Sequence, residues 1–303
     1  MDISNQDSVV LGIDIGGTHI TGALVDVNTR TVDRNSRKRK YVDAGQSAEN
    51  IISAWCDIIN MAFTDRPHLS KKICIAMPGP FDYDRGISLI YEQDKFKSLF
   101  KLNIKNILAS RLNISSGSIK FINDASCFLQ GEVFCGAAEG YEEALGFTLG
   151  TGLGSAIYKN GIAEDAQLWN TTFKNGIVED YLSTRWFVSR YKEISGKVVT
   201  GVRELKEMND SDGSVQQVFD EFGENLRLFL ISVANKENYD IVVLGGNISN
   251  AISMFLPALE NNLPRDIKIK KSMLGEEANL IGAASCWNLL SIDKENAARE
   301  LGI

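Results

Sequence analysis

Four short apolar runs in this chain each stop at a glycine-rich turn. Residues 9–15 precede Gly16 and Gly17, 72–77 precede Pro78-Gly79-Pro80, 144–149 precede the glycines at 150, 152 and 154, and 241–244 precede Gly245 and Gly246. Apolar, β-branched stretches of this length read as buried strands, and glycine punctuates them. A glycine turn also lets backbone N–H groups approach an anion, because no Cβ intervenes and φ > 0 is accessible. Taken singly, each turn is equally well a plain hairpin. Their order says more, since apolar strand, glycine turn, second strand and then helices opens the chain and returns near Ala144. That recurrence predicts two similar α/β lobes facing each other across a cleft, each a mixed five-stranded sheet packed by helices. A length of 303 residues, about twice a typical domain, agrees.

The remaining elements follow from periodicity. A second strand is expected over 18–27. Ile51, Ile52, Trp55, Ile58, Ile59 and Phe63 have helical spacing, so 47–63 reads as an amphipathic helix that Ser47 could cap. A strand over 119–122 ends at Asn123 and Asp124, with a helix over 125–134. Further on come a strand over 154–158, helices over 178–191 and 215–234, a helix from about 249, a strand near Ile267 and a last helix over 278–290.

Composition excludes several classes. No apolar run approaches a membrane span, and the polar, acidic residues 1–7 do not resemble a signal peptide, so a cytoplasmic protein is expected. The five cysteines are dispersed without a C-x-x-C pair, which argues against a disulfide framework, and two histidines offer little for zinc or a histidine triad. A net charge of −7 speaks against a nucleic-acid partner. The basic stretch 34–40 reads as a solvated edge strand or loop.

Two places can carry chemistry. Asp14 stands beside Gly16, Gly17 and Thr18, a carboxylate next to a turn able to hold phosphate, which implies Mg²⁺ bound directly or through water. Thr151 adds a hydroxyl to the later turn. There is no G-x-x-x-x-G-K-[ST], and residues 12–17 do not match G-x-G-x-x-G. Asp124, at a strand's carboxyl end, could accept a hydroxyl proton during phosphoryl transfer. From local sequence alone, capping the following helix is the favoured role.

In this order the motifs resemble the ROK family of sugar kinases and repressors, within the actin-like ATPase (ribonuclease H-like) superfamily. LGIDIGGT at 11–18 is similar to its first phosphate motif and IAMPGP at 75–80 to its sugar loop. FINDA at 121–125, with Gly131 and Glu132, is similar to its catalytic segment. TLGTGLGS at 148–155 resembles its second phosphate motif, and VLGGNI at 243–248 its adenosine-side turn. The likeness implies a two-lobed fold with a central cleft, a first lobe of 1–122 plus 288–303 and a second of 123–287. It implies an ATP-dependent kinase acting on a hexose or N-acetylhexosamine hydroxyl, at C6, with Mg²⁺ and as a homodimer.

By the same resemblance Asp124 is the general base, while Asn123, Gly79 and Glu179 (in GIVEDYL at 176–182) hold the sugar. The glycines at 150, 152 and 154 hold the β- and γ-phosphates, and Gly245, Gly246 and Asn247 the adenosine side. The family's zinc motif is missing, since 165–176 contains no cysteine or histidine, and Gln167 and Asn170 stand where its Glu and His are expected. Both can still hydrogen-bond hydroxyls. Trp169 could stack on a sugar face or fill a core. The alternative to a kinase is a catalytically silent, sugar- or nucleotide-responsive regulator of the same fold. A DNA-binding reading is disfavoured, because the first phosphate strand starts at Val9.

Overall fold

The computed structural model describes residues 8–91, 95–208, 213–234, 238–263 and 267–287. They divide into two units, one of the described residues through Cys135 with those from Glu276 onward, the other of Gly136–Gly275. The expected boundaries at 122/123 and 287/288 thus fall instead at 135/136 and 275/276. Residues 288–303, expected in the first lobe, lie outside the described residues.

In the first unit, β1 (Val9–Ile15) pairs antiparallel with β2 (His19–Asp26). The outer side of β2 takes β3 (Thr31–Val32) and β4 (Lys38–Tyr41). On its other side β1 runs parallel to β5 (Ile73–Met77). A small ribbon of β6 (Phe81–Asp82) and β7 (Ile87–Ser88) follows, and β8 (Ile119–Asn123) closes the sheet parallel to β5. The sheet has six strands rather than the expected five, because the hairpin arm continues into β3 and β4.

Strand alternation sorts this sheet into two unlike faces. Leu11, Ile13 and Ile15, with Ile73, Ile75, Met77, Ile119 and Phe121, form one core with α1 (Ala48–Ala62) and α2 (Ile104–Leu112). Ser47 caps α1 by accepting the Asn50 N–H at 3.3 Å. Trp55, fully buried there, contributes about 2–3 kcal/mol of apolar burial.

The opposite face shows Gly12, Asp14, Cys74, Ala76, Lys120 and Ile122, and against it lie α3 (Asp124–Cys135) and a terminal helix over 278–287. Small residues let these backbones meet. A Cβ on Gly12 would stand 2.0 Å from the Leu280 carbonyl oxygen, one on Gly131 2.2 Å from that of Ala278, and one on Gly282 1.8 Å from that of Cys127. This three-glycine junction ties α3 and the terminal helix to β1. It is why the first unit extends through Cys135 and resumes at Glu276.

The second unit repeats the plan. β9 (Ala144–Leu149) pairs antiparallel with β10 (Leu153–Lys159), which takes β11 (Ile162–Asp165). A short ribbon of β12 (Thr172–Phe173) and β13 (Gly176–Ile177) intervenes. β14 (Ile241–Gly245) runs parallel to β9, and β15 (Lys268–Lys271) parallel to β14. The order β11-β10-β9-β14-β15 repeats β3-β2-β1-β5-β8 strand for strand. Its helices are α4 (Val178–Tyr181), α5 (Thr184–Ser195), α6 (Val202–Glu207), α7 (Ser214–Ala234) and α8 (Ile252–Glu260). Phe187, Phe219, Phe222 and Phe255 stack between α5, α7 and α8.

Two helices differ from expectation. The helix foreseen over 178–191 is broken at Leu182 and Ser183, because the Thr184 N–H is drawn to the Gly150 carbonyl. The helix foreseen from 249 begins as a 3-10 turn over Asn247–Ala251. Of the helix foreseen over 278–290, residues 288–290 lie outside the described residues. No helix among the described residues is long and apolar enough to cross a membrane.

Candidate active site

The parallel strands of the first unit carry its candidate residues to one end of the sheet. Asp14 is opposite Ala76, and Met77 opposite Asn123, so β1, β5 and β8 finish side by side. Open α/β sheets bind ligands at that end. The first turn is closed by the Gly16 N–H donating to the His19 carbonyl at 2.9 Å, with Thr18 Oγ1 2.7 Å from His19 Nδ1. Neither Gly16 nor Gly17 has positive φ, and a Cβ would meet nothing nearer than 3.6 Å at either. The turn thus makes no use of the positive φ open to glycine. Their missing side chains leave room above the turn.

The helix after β8 is capped by Asn123, not by Asp124. Asn123 Oδ1 accepts the N–H groups of Ala125 at 2.9 Å and Ser126 at 3.1 Å, which is the geometry of an N-cap. Asn123 Nδ2 donates to the Tyr83 hydroxyl at 3.2 Å, and that hydroxyl donates to the Met77 carbonyl at 3.1 Å. A Cβ on Gly79 would lie 3.3 Å from the same hydroxyl, so Gly79, Tyr83 and Asn123 form one corner. Tyr83 was not singled out in the sequence. Its only signal is its place just beyond the Pro78-Gly79-Pro80 turn.

Asp124 is the half-buried first residue of α3, with Oδ1 2.9 Å from its neighbour Ala125's N–H. Asp14 lies close enough for the two carboxylates to repel. Burial is the main cause that lifts the Asp14 pKa to about 6, and Asp124 adds to it. A hydrogen bond from Asn279 Nδ2, 2.9 Å from Asp14 Oδ1, works the other way. Arg39 and Glu276 exert smaller, opposed effects. The basic stretch is a loop leading into an exposed edge strand, as read, and four of its five cations pair with carboxylates: Arg37 and Arg39 with Glu276, Arg34 with Glu277, Lys40 with Asp57, while Lys38 donates to the Asn35 carbonyl.

In the second unit the turn after β9 is braced on both sides. Thr184 donates its N–H at 2.8 Å and its hydroxyl at 2.9 Å to the Gly150 carbonyl. Glu179 Oε2 accepts the Leu153 N–H at 2.9 Å, and its Oε1 accepts from Arg185 at 3.0 Å. Both carboxylate oxygens of Glu179 are thus engaged within the unit. A Cβ on Gly152 would come 2.6 Å from Glu179 Oε2, so a larger residue there would displace that carboxylate, whereas nothing lies within 4 Å of one on Gly150.

Gly154 continues into β10. β14 brings Gly245 opposite Thr148, beside that turn. Gly246 has φ +78° and would place a Cβ 2.3 Å from the Leu149 carbonyl, so only glycine fits. Next to these turns lies a cavity of 880 Å³ lined by Thr151, Thr184, Gly201, Lys206, Asn247 and Asn250.

Gln167 and Asn170 are exposed, Gln167 in a left-handed conformation ahead of a 3-10 turn over Leu168–Asn170. Trp169 is 45% exposed, which rules out a core role.

Among the described residues no group of three or more His, Cys, Asp or Glu stands where it could hold a metal. Hydrated Mg²⁺ asks less, since one or two carboxylates plus phosphate oxygens suffice. A carboxylate held by Asn279, desolvated and repelled by a neighbour, fits such a cation.

The sequence profile of the ROK family matches residues 10–166. An N-acetyl-D-glucosamine kinase of Mannheimia succiniciproducens is 24% identical over 315 residues, covering 92% of this chain and 99% of its own. A ROK hexokinase from Thermus thermophilus superposes with a TM-score of 0.75 at 22% identity, over 91% of this chain and 96% of its own. A ROK family glucokinase from Streptomyces griseus, solved with glucose and AMPPNP, gives a TM-score of 0.71 at 21% identity, over 92% and 98%. Two mixed sheets, each packed by helices, are the actin-like ATPase plan that these structures share.

Proposed function

The chain belongs to the ROK family, and we propose that it is an ATP-dependent sugar kinase in which Asp124 is the general base. The observation that carries this reading is the cap at Asn123. With the α3 N-terminus satisfied by the Asn123 amide oxygen, a carboxylate at 124 is not needed as the cap, yet it stands at the ligand-binding end of the sheet beside Asp14.

The proposed acceptor is a hexose or N-acetylhexosamine, the kinds of sugar that the names of the relatives give, with its C6 hydroxyl as the proposed site of transfer. Asp124 orients the acceptor hydroxyl and takes its proton, which is most of what a protein contributes to phosphoryl transfer. In the corner of Gly79, Tyr83 and Asn123, the Asn123 oxygen is committed to the cap, so this residue offers a sugar hydroxyl only its amide N–H. Glu179 holds the Gly150–Gly154 turn in shape, in addition to any sugar contact. N–H groups of that turn and of the Gly16-Gly17 turn bind phosphate oxygens, and the space above Gly16, Gly17 and Gly150 admits them. The cavity beside Thr151 and Asn247 takes the nucleoside.

Asp14 would hold Mg²⁺, which supplies charge neutralisation on the donor phosphates. Cytoplasmic residence and a homodimer belong to the same proposal.

The test is Asp124→Asn, which keeps the shape of the side chain but cannot accept the proton. ADP release over a panel of hexoses and N-acetylhexosamines should fall by roughly 10²–10⁴-fold with the melting profile unchanged. Release at the wild-type rate would mean that Asp124 is not the base. Sugar and ATP binding by calorimetry, without turnover in the wild type, would identify a silent regulator instead.

A further inference from the structure

The turn after β11 holds three adjacent, uncommitted side chains out to solvent on a backbone that is pinned at both ends. The Ala166 N–H donates to the Ser155 carbonyl at 3.0 Å, and the Leu168 N–H donates to the buried Ser155 hydroxyl, also at 3.0 Å. Asp165 Oδ1 accepts the Gln167 N–H at 2.9 Å. The Thr171 N–H closes the 3-10 turn on the Leu168 carbonyl at 3.1 Å, and the Thr171 carbonyl accepts the Val178 N–H at 2.9 Å. Ser155 directly follows Gly154, and Val178 directly precedes Glu179, which accepts the Leu153 N–H. The turn therefore hangs between the glycine turn and the residue that braces it.

Leu168 packs against the core of the second unit, while Trp169 next to it is 45% exposed. The other three tryptophans, Trp55, Trp186 and Trp287, are buried or half-buried. The side chains of Gln167, Trp169 and Asn170 make no hydrogen bond or ring contact with any described residue. An indole that folding leaves in water keeps its apolar burial available to a ligand. A turn already pinned by five hydrogen bonds keeps the ordering cost of binding low.

We infer that this turn recognises an acetamido group, so that the acceptor is an N-acetylhexosamine rather than a plain hexose. An acetamido group presents a methyl, one N–H donor and one carbonyl acceptor. The indole face of Trp169 covers the methyl, and the carboxamides of Gln167 and Asn170, each able to donate and to accept, pair with the N–H and the carbonyl. None of the three side chains is charged, so a neutral amide is bound without stripping water from an ion. A hydroxyl at the same carbon would leave the indole uncovered. The inference rests on the kinase reading for the identity of the ligand as acceptor, and binding measured apart from turnover separates the two.

The experiment titrates the full-length chain with three matched pairs: N-acetylglucosamine and glucose, N-acetylmannosamine and mannose, N-acetylgalactosamine and galactose. Calorimetry and tryptophan fluorescence report binding, and ADP release reports turnover. In at least one pair the acetamido sugar should bind about 10- to 100-fold more tightly, with a change in fluorescence. Trp169→Phe should keep the preference and lose the fluorescence change. Trp169→Ala should lose most of the preference by weakening the acetamido sugar, with the plain hexose and the KM for ATP within about twofold of wild type.

Equal or tighter binding of the plain hexose in every pair overturns the inference, as does a wild type that binds none of the six sugars. A Trp169→Ala variant that weakens both members of a pair alike also overturns it, because the indole would then stack on the sugar ring alone. Preferential binding of an acetamido sugar without ADP release removes the kinase reading and leaves the recognition of the acetamido group standing.

Discussion

Asn279 donates a hydrogen bond of 2.9 Å from Nδ2 to Oδ1 of Asp14, joining the terminal helix to the first strand across 265 residues of sequence. The bond favours the ionised carboxylate against the desolvation that raises its pKa. Asn279→Ala should therefore move the Asp14 pKa further up. A hydrogen bond to a charged group contributes about 1.5–3 kcal/mol, so kcat/KM for ATP should fall roughly 10- to 100-fold. The acid limb of its pH profile should shift to higher pH. A limb that stays where it is in the wild type would show that Asn279 does not tune Asp14.

The Asp14 pKa of about 6, against an ordinary value of 3.8, has opposite consequences for stability and for activity. Between those values the folded chain keeps a proton that the unfolded chain releases. This contribution to stability is complete below the unfolded value and is lost as pH rises through the folded one. Binding of a cation needs the ionised form, so activity should fall as pH drops below about 6. Urea midpoints with chelator present should be higher at the acid end of that window, and Asp14→Asn should flatten the difference. Equal slopes in the two proteins would refute the assignment.

Glycines 12 and 150 should respond oppositely to alanine. At Gly12 the new Cβ meets the Leu280 carbonyl at 2.0 Å, and at Gly150 it meets nothing within 4 Å. Overpacking of a backbone junction costs about 1–3 kcal/mol or more, so Gly12→Ala should lower the denaturant midpoint clearly. Gly150→Ala should stay within about 0.5 kcal/mol of wild type and raise KM for ATP. If Gly150→Ala binds ATP normally, the space above that turn is not used by phosphate.

Thr184 holds the Gly150 carbonyl through both its N–H and its hydroxyl. Thr184→Val keeps the first bond and loses the second, a loss of about 1 kcal/mol. The expected result is a roughly fivefold higher KM for ATP with kcat little changed, and Thr184→Ser should restore it. A variant that loses stability without any change in KM would reduce Thr184 to a purely structural role.

The local parts of this fold were legible before the structure. Each glycine turn is announced by the apolar run ahead of it, Ser47 by the helical spacing behind it, and the lobe repeat by two copies of one strand–turn–strand pattern. What local reading could not reach was the use made of neighbours. Asn123 and Asp124 are adjacent and both are common N-caps, so nothing in the sequence says which of them does the capping. Tyr83 and Asn279 carry no motif, because their significance lies in an oxygen on another element. The continuous apolar period over 178–191 hides the break at Ser183, which arises from a carbonyl more than thirty residues away.

Sequence alone determined the kinds of elements, their order and the chemical types placed at the strand ends, because periodicity and turn chemistry act over a few residues. Tertiary structure decided which glycines are required for space and which stay open, which of two adjacent polar side chains caps a helix, and how a carboxylate is tuned. Those outcomes depend on burial and on hydrogen-bond partners, and strand register and helix packing supply both from distant parts of the chain.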